Sequence, residues 1–220
     1  MTFNGRLDAA LQLAAALDRW RGKRPLVIAL PRGAVPMGEV IARQLEGDLD
    51  VILIRKLRAP NNPELAIGAV AESGWVQVAD YVGSVGADEA YVEAEIATQL
   101  AIIRMRRAKY DAVARSVPPK GRVVIIVDDG IATGATMEAA LHAIREQGPA
   151  RLVCAVPVAS RESLGRVSAI ADDVVCLEKP SYFSSVSQFY NSFEQVEDDE
   201  VVAALQASRK RGAVPQPERH

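Results

Sequence analysis

Residues 123–137 read VVIIVDDGIATGATM, and few folds can accommodate that order of chemistries. Five consecutive apolar residues, Val123 to Val127, have the length and β-branched content of a strand buried on both faces. Two adjacent carboxylates, Asp128 and Asp129, stand at its carboxyl end. The small-residue turn GIATGAT then opens a helix. A plain strand-to-helix turn accounts for the glycines and for Thr136. It does not account for two neighbouring carboxylates at a buried strand end, where desolvation and mutual repulsion both raise the cost. In open α/β sheets ligands collect where strands end and helices begin. Backbone N–H groups and the Thr133 and Thr136 hydroxyls suit an anion there, because the helix dipole favours negative charge. The carboxylates suit sugar hydroxyls or a hydrated cation, so a ligand carrying both a phosphate and a polyol would satisfy the whole stretch. The turn matches neither G-x-x-x-x-G-K-[ST] nor G-x-G-x-x-G.

The remaining chain alternates strands with helices. Strands are expected over 26–30, 51–54, 65–71, 76–79, 151–156 and 174–177. Helices are expected over 6–20, 39–45, 88–113, 136–147, 160–171 and 198–211, with Asp88, Ser160 and Asp198 as caps. The first helix shows an apolar stripe at Leu7, Ala10, Leu11, Ala14 and Leu17. The basic half of the long helix, Arg104 to Lys109, reads as a solvated, dipole-matched face. This pattern predicts an α/β fold, a largely parallel twisted sheet with helices on both faces plus a small hood or flap. At 220 residues, 49% hydrophobic and 25% charged, the chain suits one domain over 1–220. Its core is expected at about 22–178, a C-terminal hood and helix at 179–211, and a disordered tail at 212–220.

A net charge of −2 gives no global reason to expect nucleic acid. No apolar run reaches the ~18 residues of a membrane span, and no signal peptide is evident, so cytoplasmic localisation is the expectation. Cys154 and Cys176 sit in apolar runs and read as reduced core thiols. No His/Cys spacing suggests structural zinc. His142 reads as a helix-surface residue.

The stretch VIIVDDGIATGAT resembles the 5-phosphoribosyl 1-pyrophosphate (PRPP) signature of type I phosphoribosyltransferases. The resemblance extends over about 26–193, and RKLRAPNNPELAIGAV is similar to bacterial stand-alone members whose substrate is unsettled. It implies the type I phosphoribosyltransferase fold. It implies that Asp128 and Asp129 hold the ribose hydroxyls and meet Mg²⁺ mainly through water. Ala132, Thr133, Gly134, Ala135 and Thr136 would then wrap the 5′-phosphate. Gly130 departs from the signature, where an apolar residue is commoner, and is expected to loosen the backbone.

In the family, the loop after the first core strand binds pyrophosphate, with a basic residue beside glycine and often a cis peptide. Arg32 and Gly33 match that place, with Arg32 neutralising the departing anion. Arg55, Lys56 and Arg58 read either as a solvated charge cluster or, by the resemblance, as candidates for the family's mobile loop, which closes over the site and brings a cation to the departing pyrophosphate. The aromatic segment at 179–193 reads either as aromatics packing a surface helix onto the core or, by the resemblance, as the hood that recognises the acceptor, with Tyr182, Phe183 and Tyr190 as its candidates. The implied partners are PRPP and a small nitrogenous acceptor, with a homodimer possible and no nucleic acid or membrane. No general base stands out; Glu72 is a weak candidate. The implied activity is Mg²⁺-dependent phosphoribosyl transfer to a nitrogen acceptor, a nucleobase above all. A PRPP- or nucleotide-sensing regulator on the same fold is the alternative, and chemistry on another phosphosugar a third reading.

Overall fold

A computed structural model describes residues 2–212. In chain order the elements are α1 (Arg6–Ala16), β1 (Leu26–Ala29), α2 (Val35–Gln44), β2 (Asp48–Val51), β3 (Ile54–Ala59), β4 (Asn62–Ala71), β5 (Val76–Val78), α3 (Glu89–Asp111), β6 (Val123–Val127), α4 (Ala135–Arg145), β7 (Arg151–Val158), α5 (Arg161–Ser168), β8 (Asp173–Glu178) and α6 (Asp198–Gly212). Five strands form a parallel sheet in the order β2-β1-β6-β7-β8. The antiparallel β3-β4-β5 sheet is separate.

The sheet order fixes where a ligand can sit. From β1 the chain passes to β2 on one side; from β6 it passes to β7 on the other. β1 and β6 are hydrogen-bonded neighbours, so this is a topological switch point. The loops leaving these two strands face one crevice.

Strand periodicity divides the apolar runs between two cores. Val27, Ala29, Ile125, Val127, Val153 and Ala155 join one core with α1, α2, α3 and α6. Leu26, Ile28, Val124, Ile126, Leu152 and Cys154 join the other with α4 and α5. Helices therefore cover both faces of the parallel sheet.

Several local expectations are corrected. Helix α1 buries Ala9, Ala10, Leu13 and Ala14, while Leu7 and Leu11 are 60% and 52% exposed. The small alanines allow close helix approach, which an apolar stripe centred on leucine misses. The predicted second strand begins earlier, at Asp48, because Asp50 is buried with partners. Its carboxylate accepts from the Val117 N–H at 2.7 Å and the Ser116 hydroxyl at 2.9 Å, and pairs with Arg107 at 3.4 Å. Arg107 also pairs with Glu72 and donates to the Val51 carbonyl at 2.7 Å. The basic half of α3 is thus not uniformly solvated.

Helix α6, expected with the hood, packs against α2 and β2. Asp88 and Ser160 cap α3 and α5 by accepting from the Tyr91 and Ser163 N–H groups. His142 stacks on Trp75, with ring centroids 5.3 Å apart. Both cysteines are free; Cys154 is buried and Cys176 partly so. Except for Gly212, the expected disordered tail lies outside the described residues. Within the described residues, no helix is long and apolar enough to cross a membrane.

Candidate active site

Strand β6 ends in Asp128 and Asp129, whose carboxylates have different surroundings. Asp128 is partly buried and accepts the Asp129 N–H at 2.9 Å. No other described protein group donates to it. Asp129 Oδ2 accepts from Arg6 Nε at 3.0 Å and Nη2 at 2.8 Å. Burial pushes the Asp128 carboxyl well above its ordinary range, and the Asp129 charge pushes it further. Burial also raises Asp129, against the lowering effect of Arg6. The pair is electrostatically costly without a ligand.

Arg6 is itself held. Its Nη1 donates to the Glu194 carbonyl at 2.5 Å, and its guanidinium lies 3.9 Å from the Phe193 ring centroid. The Tyr190 hydroxyl donates to the Asp129 carbonyl at 2.6 Å. Phe3 packs on Tyr190, and the Phe3 N–H donates to the Phe189 carbonyl at 2.8 Å. Chain start and hood therefore make one support beneath the acidic pair. Tyr190, expected to face the acceptor, is buried in that support.

The loop after Asp129 is fixed by its carbonyls. Ala132 O accepts from the Ser163 hydroxyl at 2.6 Å and the Ser160 hydroxyl at 3.1 Å. Thr133 O accepts from Arg166, which also pairs with Glu138 at 2.7 Å. Gly134 has φ +86°, a conformation glycine adopts without steric cost. With these carbonyls tied to α5, the first N–H groups of α4 lack intrahelical acceptors and suit an anion. Ala132, Thr133 and Ala135 are exposed, and Thr136 is partly so. Gly130 is buried, and a Cβ there would strike the Val186 and Val158 side chains. Close packing of the hood, rather than backbone looseness, requires glycine at this position.

The second loop leaves β1. Its Pro31–Arg32 peptide is cis. Arg32 Nη1 pairs with Glu197 Oε2 at 3.0 Å. Gly33 touches the acidic pair: a Cβ there would overlap Asp129 Oδ2 and come within 3.1 Å of Arg6 Nη2. Since Arg6 pins that carboxylate, Gly33→Ala is expected to cost about 1–3 kcal/mol through overpacking. Thermal denaturation of the variant against Gly83→Ala, an open position, measures this.

Arg55, Lys56 and Arg58 lie on β3 of the hairpin. Arg55 Nε donates to Gln99 at 2.5 Å, Arg58 pairs with Glu95 at 3.8 Å, and Lys56 is exposed. Tyr182 is 79% exposed, and Phe183 packs on Phe189 with centroids 5.5 Å apart. Glu72 is committed to Arg107, which leaves it poorly placed as a base.

Sequence reasoning missed Arg6, Ser163, Arg166 and Glu197. Only Arg6 carried a local signal: a cation in the first turn of a helix opposes the dipole, so another partner must hold it.

Comparison with known proteins gives a consistent result. The phosphoribosyl transferase domain family model matches residues 5–193. A protein of Mycobacterium tuberculosis named "Putative phosphoribosyl transferase Rv0571c" is 41% identical over 210 residues, covering 94% of this chain and 47% of that protein. The chain thus spans about half the length of the curated relatives it matches. The crystal structure of TT1426 from Thermus thermophilus is 44% identical, with a TM-score of 0.81, and the match covers 94% of this chain and 99% of that one.

Proposed function

The chain belongs to the phosphoribosyl transferase domain family, and from that premise we propose that it transfers the 5-phosphoribosyl group of PRPP to a nitrogen acceptor, a nucleobase, with release of pyrophosphate. One observation carries this reading. Gly33 of the β1 loop packs on Asp129 of the β6 loop, so two anion-suited loops and a carboxylate pair meet at the switch point. PRPP carries a phosphate group at each end of a diol-bearing sugar and matches that arrangement.

Each group then has a role. The N–H groups and hydroxyls of Thr133 to Thr136 bind the 5′-phosphate. Asp128 accepts from the ribose hydroxyls, and Asp129, held by Arg6, fixes the backbone beside it. Gly33 lets the β1 loop approach the pyrophosphate, and Arg32 adds positive charge. The acceptor nitrogen forms its bond to C1 as the C1–O bond breaks. Pyrophosphate leaves with that electron pair, and the nitrogen gives up a proton. Asp128 lies beside the positive charge that develops on the sugar. Positioning and charge stabilisation do most of this work.

Magnesium fits as an ion brought by the substrate. Among the described residues, no cluster of three His, Cys, Asp or Glu side chains could hold a metal. Asp128 offers a carboxylate with capacity to spare, which suits an ion bound mainly through substrate oxygens and water. When bound, it would neutralise charge on the leaving pyrophosphate.

Incubation with PRPP, Mg²⁺ and a panel of purine and pyrimidine bases, read by pyrophosphate release, tests the proposal. Turnover on at least one base is the expected result. PRPP binding without turnover on any base would assign the fold to a regulatory role. No PRPP binding by calorimetry would overturn both.

A further inference from the structure

A pocket beside the switch point is lined by Pro31 of the β1 loop, Ile52, Arg55, Ile102 and Arg106 of α3, and Thr136 at the start of α4. It adjoins both loops assigned to PRPP. Ile102 and Ile103 lie one helical turn before Arg106, so one face of α3 anchors in apolar surroundings and presents a guanidinium to the pocket.

The cations in this region are not equally matched by anions. Arg32 pairs with Glu197, Arg58 with Glu95, and Arg107 with Glu72 and Asp50. Arg55 has only the neutral Gln99 amide as its hydrogen-bond partner, with Glu95 one step further along. The Arg106 side chain makes no hydrogen bond or ion pair among the described residues. Two partly buried guanidiniums therefore share one pocket with no carboxylate directly paired to either. Like charges so placed disfavour one another. Burial, then Arg106, then Arg58 lower the proton affinity of Arg55, against a weaker raising effect of Glu95. A structural role does not require that cost, whereas a polyanion would relieve it.

We propose that Arg106, beside the loop candidate Arg55, contacts the pyrophosphate of PRPP, a leaving-group contact supplied by α3 rather than by either PRPP loop. This rests on the phosphoribosyl-transfer reading. Arg106 keeps its full donor fork and Arg55, whose Nε is given to Gln99, keeps its Nη donors, an arrangement suited to adjacent phosphate oxygens. As the C1–O bond breaks, charge accumulates on pyrophosphate beside them.

Two probes separate this inference from the reading beneath it. Ribose 5-phosphate shares the sugar and 5′-phosphate of PRPP but lacks pyrophosphate. In calorimetry, Arg106→Gln is expected to weaken PRPP binding about ten- to a hundredfold, as for one lost charged contact. Ribose 5-phosphate affinity should be unchanged, which also reports an intact site. Arg106→Lys should recover part of the loss. Arg104→Gln, the same charge change at an exposed position of α3, should incur none of it. Unchanged PRPP affinity in Arg106→Gln would overturn the assignment. Equal weakening of both probes, or equal loss in Arg104→Gln, would overturn it too, as structural or diffuse electrostatic effects. Wild-type protein that binds neither probe would overturn the phosphoribosyl-transfer reading itself.

Discussion

Asp128→Asn is expected to raise the melting temperature of the ligand-free protein by ~2–4 °C, the equivalent of ~1 kcal/mol, while weakening PRPP binding at least ~100-fold. Both effects come from the same carboxylate. Asn retains an oxygen to accept the Asp129 N–H, so the local backbone contact survives. It removes a charge that burial and Asp129 both oppose. It also removes a charged acceptor for two ribose hydroxyls, each worth ~1.5–3 kcal/mol when the acceptor is ionised. The sign of the pH dependence follows. The folded Asp128 carboxyl titrates above its ordinary value. Between that ordinary value and the raised one, native protein holds a proton that the unfolded chain has lost. Wild-type stability from this group therefore increases as pH falls through the interval. The thermal advantage of Asp128→Asn should be largest near neutrality and shrink in acid. Differential scanning calorimetry across pH, with PRPP titration of the same samples, checks both halves. A destabilised variant would mean that Asp128 has a structural partner; unchanged PRPP affinity would remove it from the site.

The parts legible in the sequence are those built from contiguous residues. The VVIIV run, the acidic pair and the small-residue turn follow one another, so strand, site and helix start could be read together. Arg32 and Gly33 also lie just after an apolar strand, but there the residues alone read as a plain turn, and only the family resemblance singled them out. What escaped notice depends on contacts between distant positions. Arg6 and Asp129 are separated by 123 residues, and Tyr190 and Asp129 by 61. An aromatic-rich segment suggests a binding surface equally well whether its tyrosine faces a ligand or supports a backbone carbonyl. Helical periodicity did not resolve the basic half of α3 either. Arg104, Arg106 and Arg107 are close in sequence, yet one is exposed, one lines a pocket and one enters an ion network. Asp50 falls outside the expected 51–54 strand for a related reason: the partners that let an acidic residue be buried in a strand, Arg107, Ser116 and Val117, are distant in sequence.

Arg6→Met is expected to destabilise the protein by ~3 kcal/mol, lowering its melting temperature by ~6–12 °C. The Arg6 and Asp129 side chains are only 13% and 16% exposed, so solvent screens their attraction weakly and cannot replace the lost partner well. Removing the guanidinium leaves Asp129 as an uncompensated carboxylate directly beside Asp128. It also frees the Glu194 carbonyl and the Phe193 ring from their shared cation, loosening the hood from the acidic pair. The cost should fall at lower pH, because protonation of Asp129 removes the charge that Arg6 neutralises. A double-mutant cycle with Asp129→Asn separates the pair from the remaining contacts. If the Arg6–Asp129 interaction dominates, Arg6→Met should cost much less in the Asp129→Asn background. An equal cost in both backgrounds would instead place the stabilisation in Phe193 and Glu194. A loss below ~1 kcal/mol in the single variant would show that Arg6 is not the clamp holding Asp129 beneath the cleft.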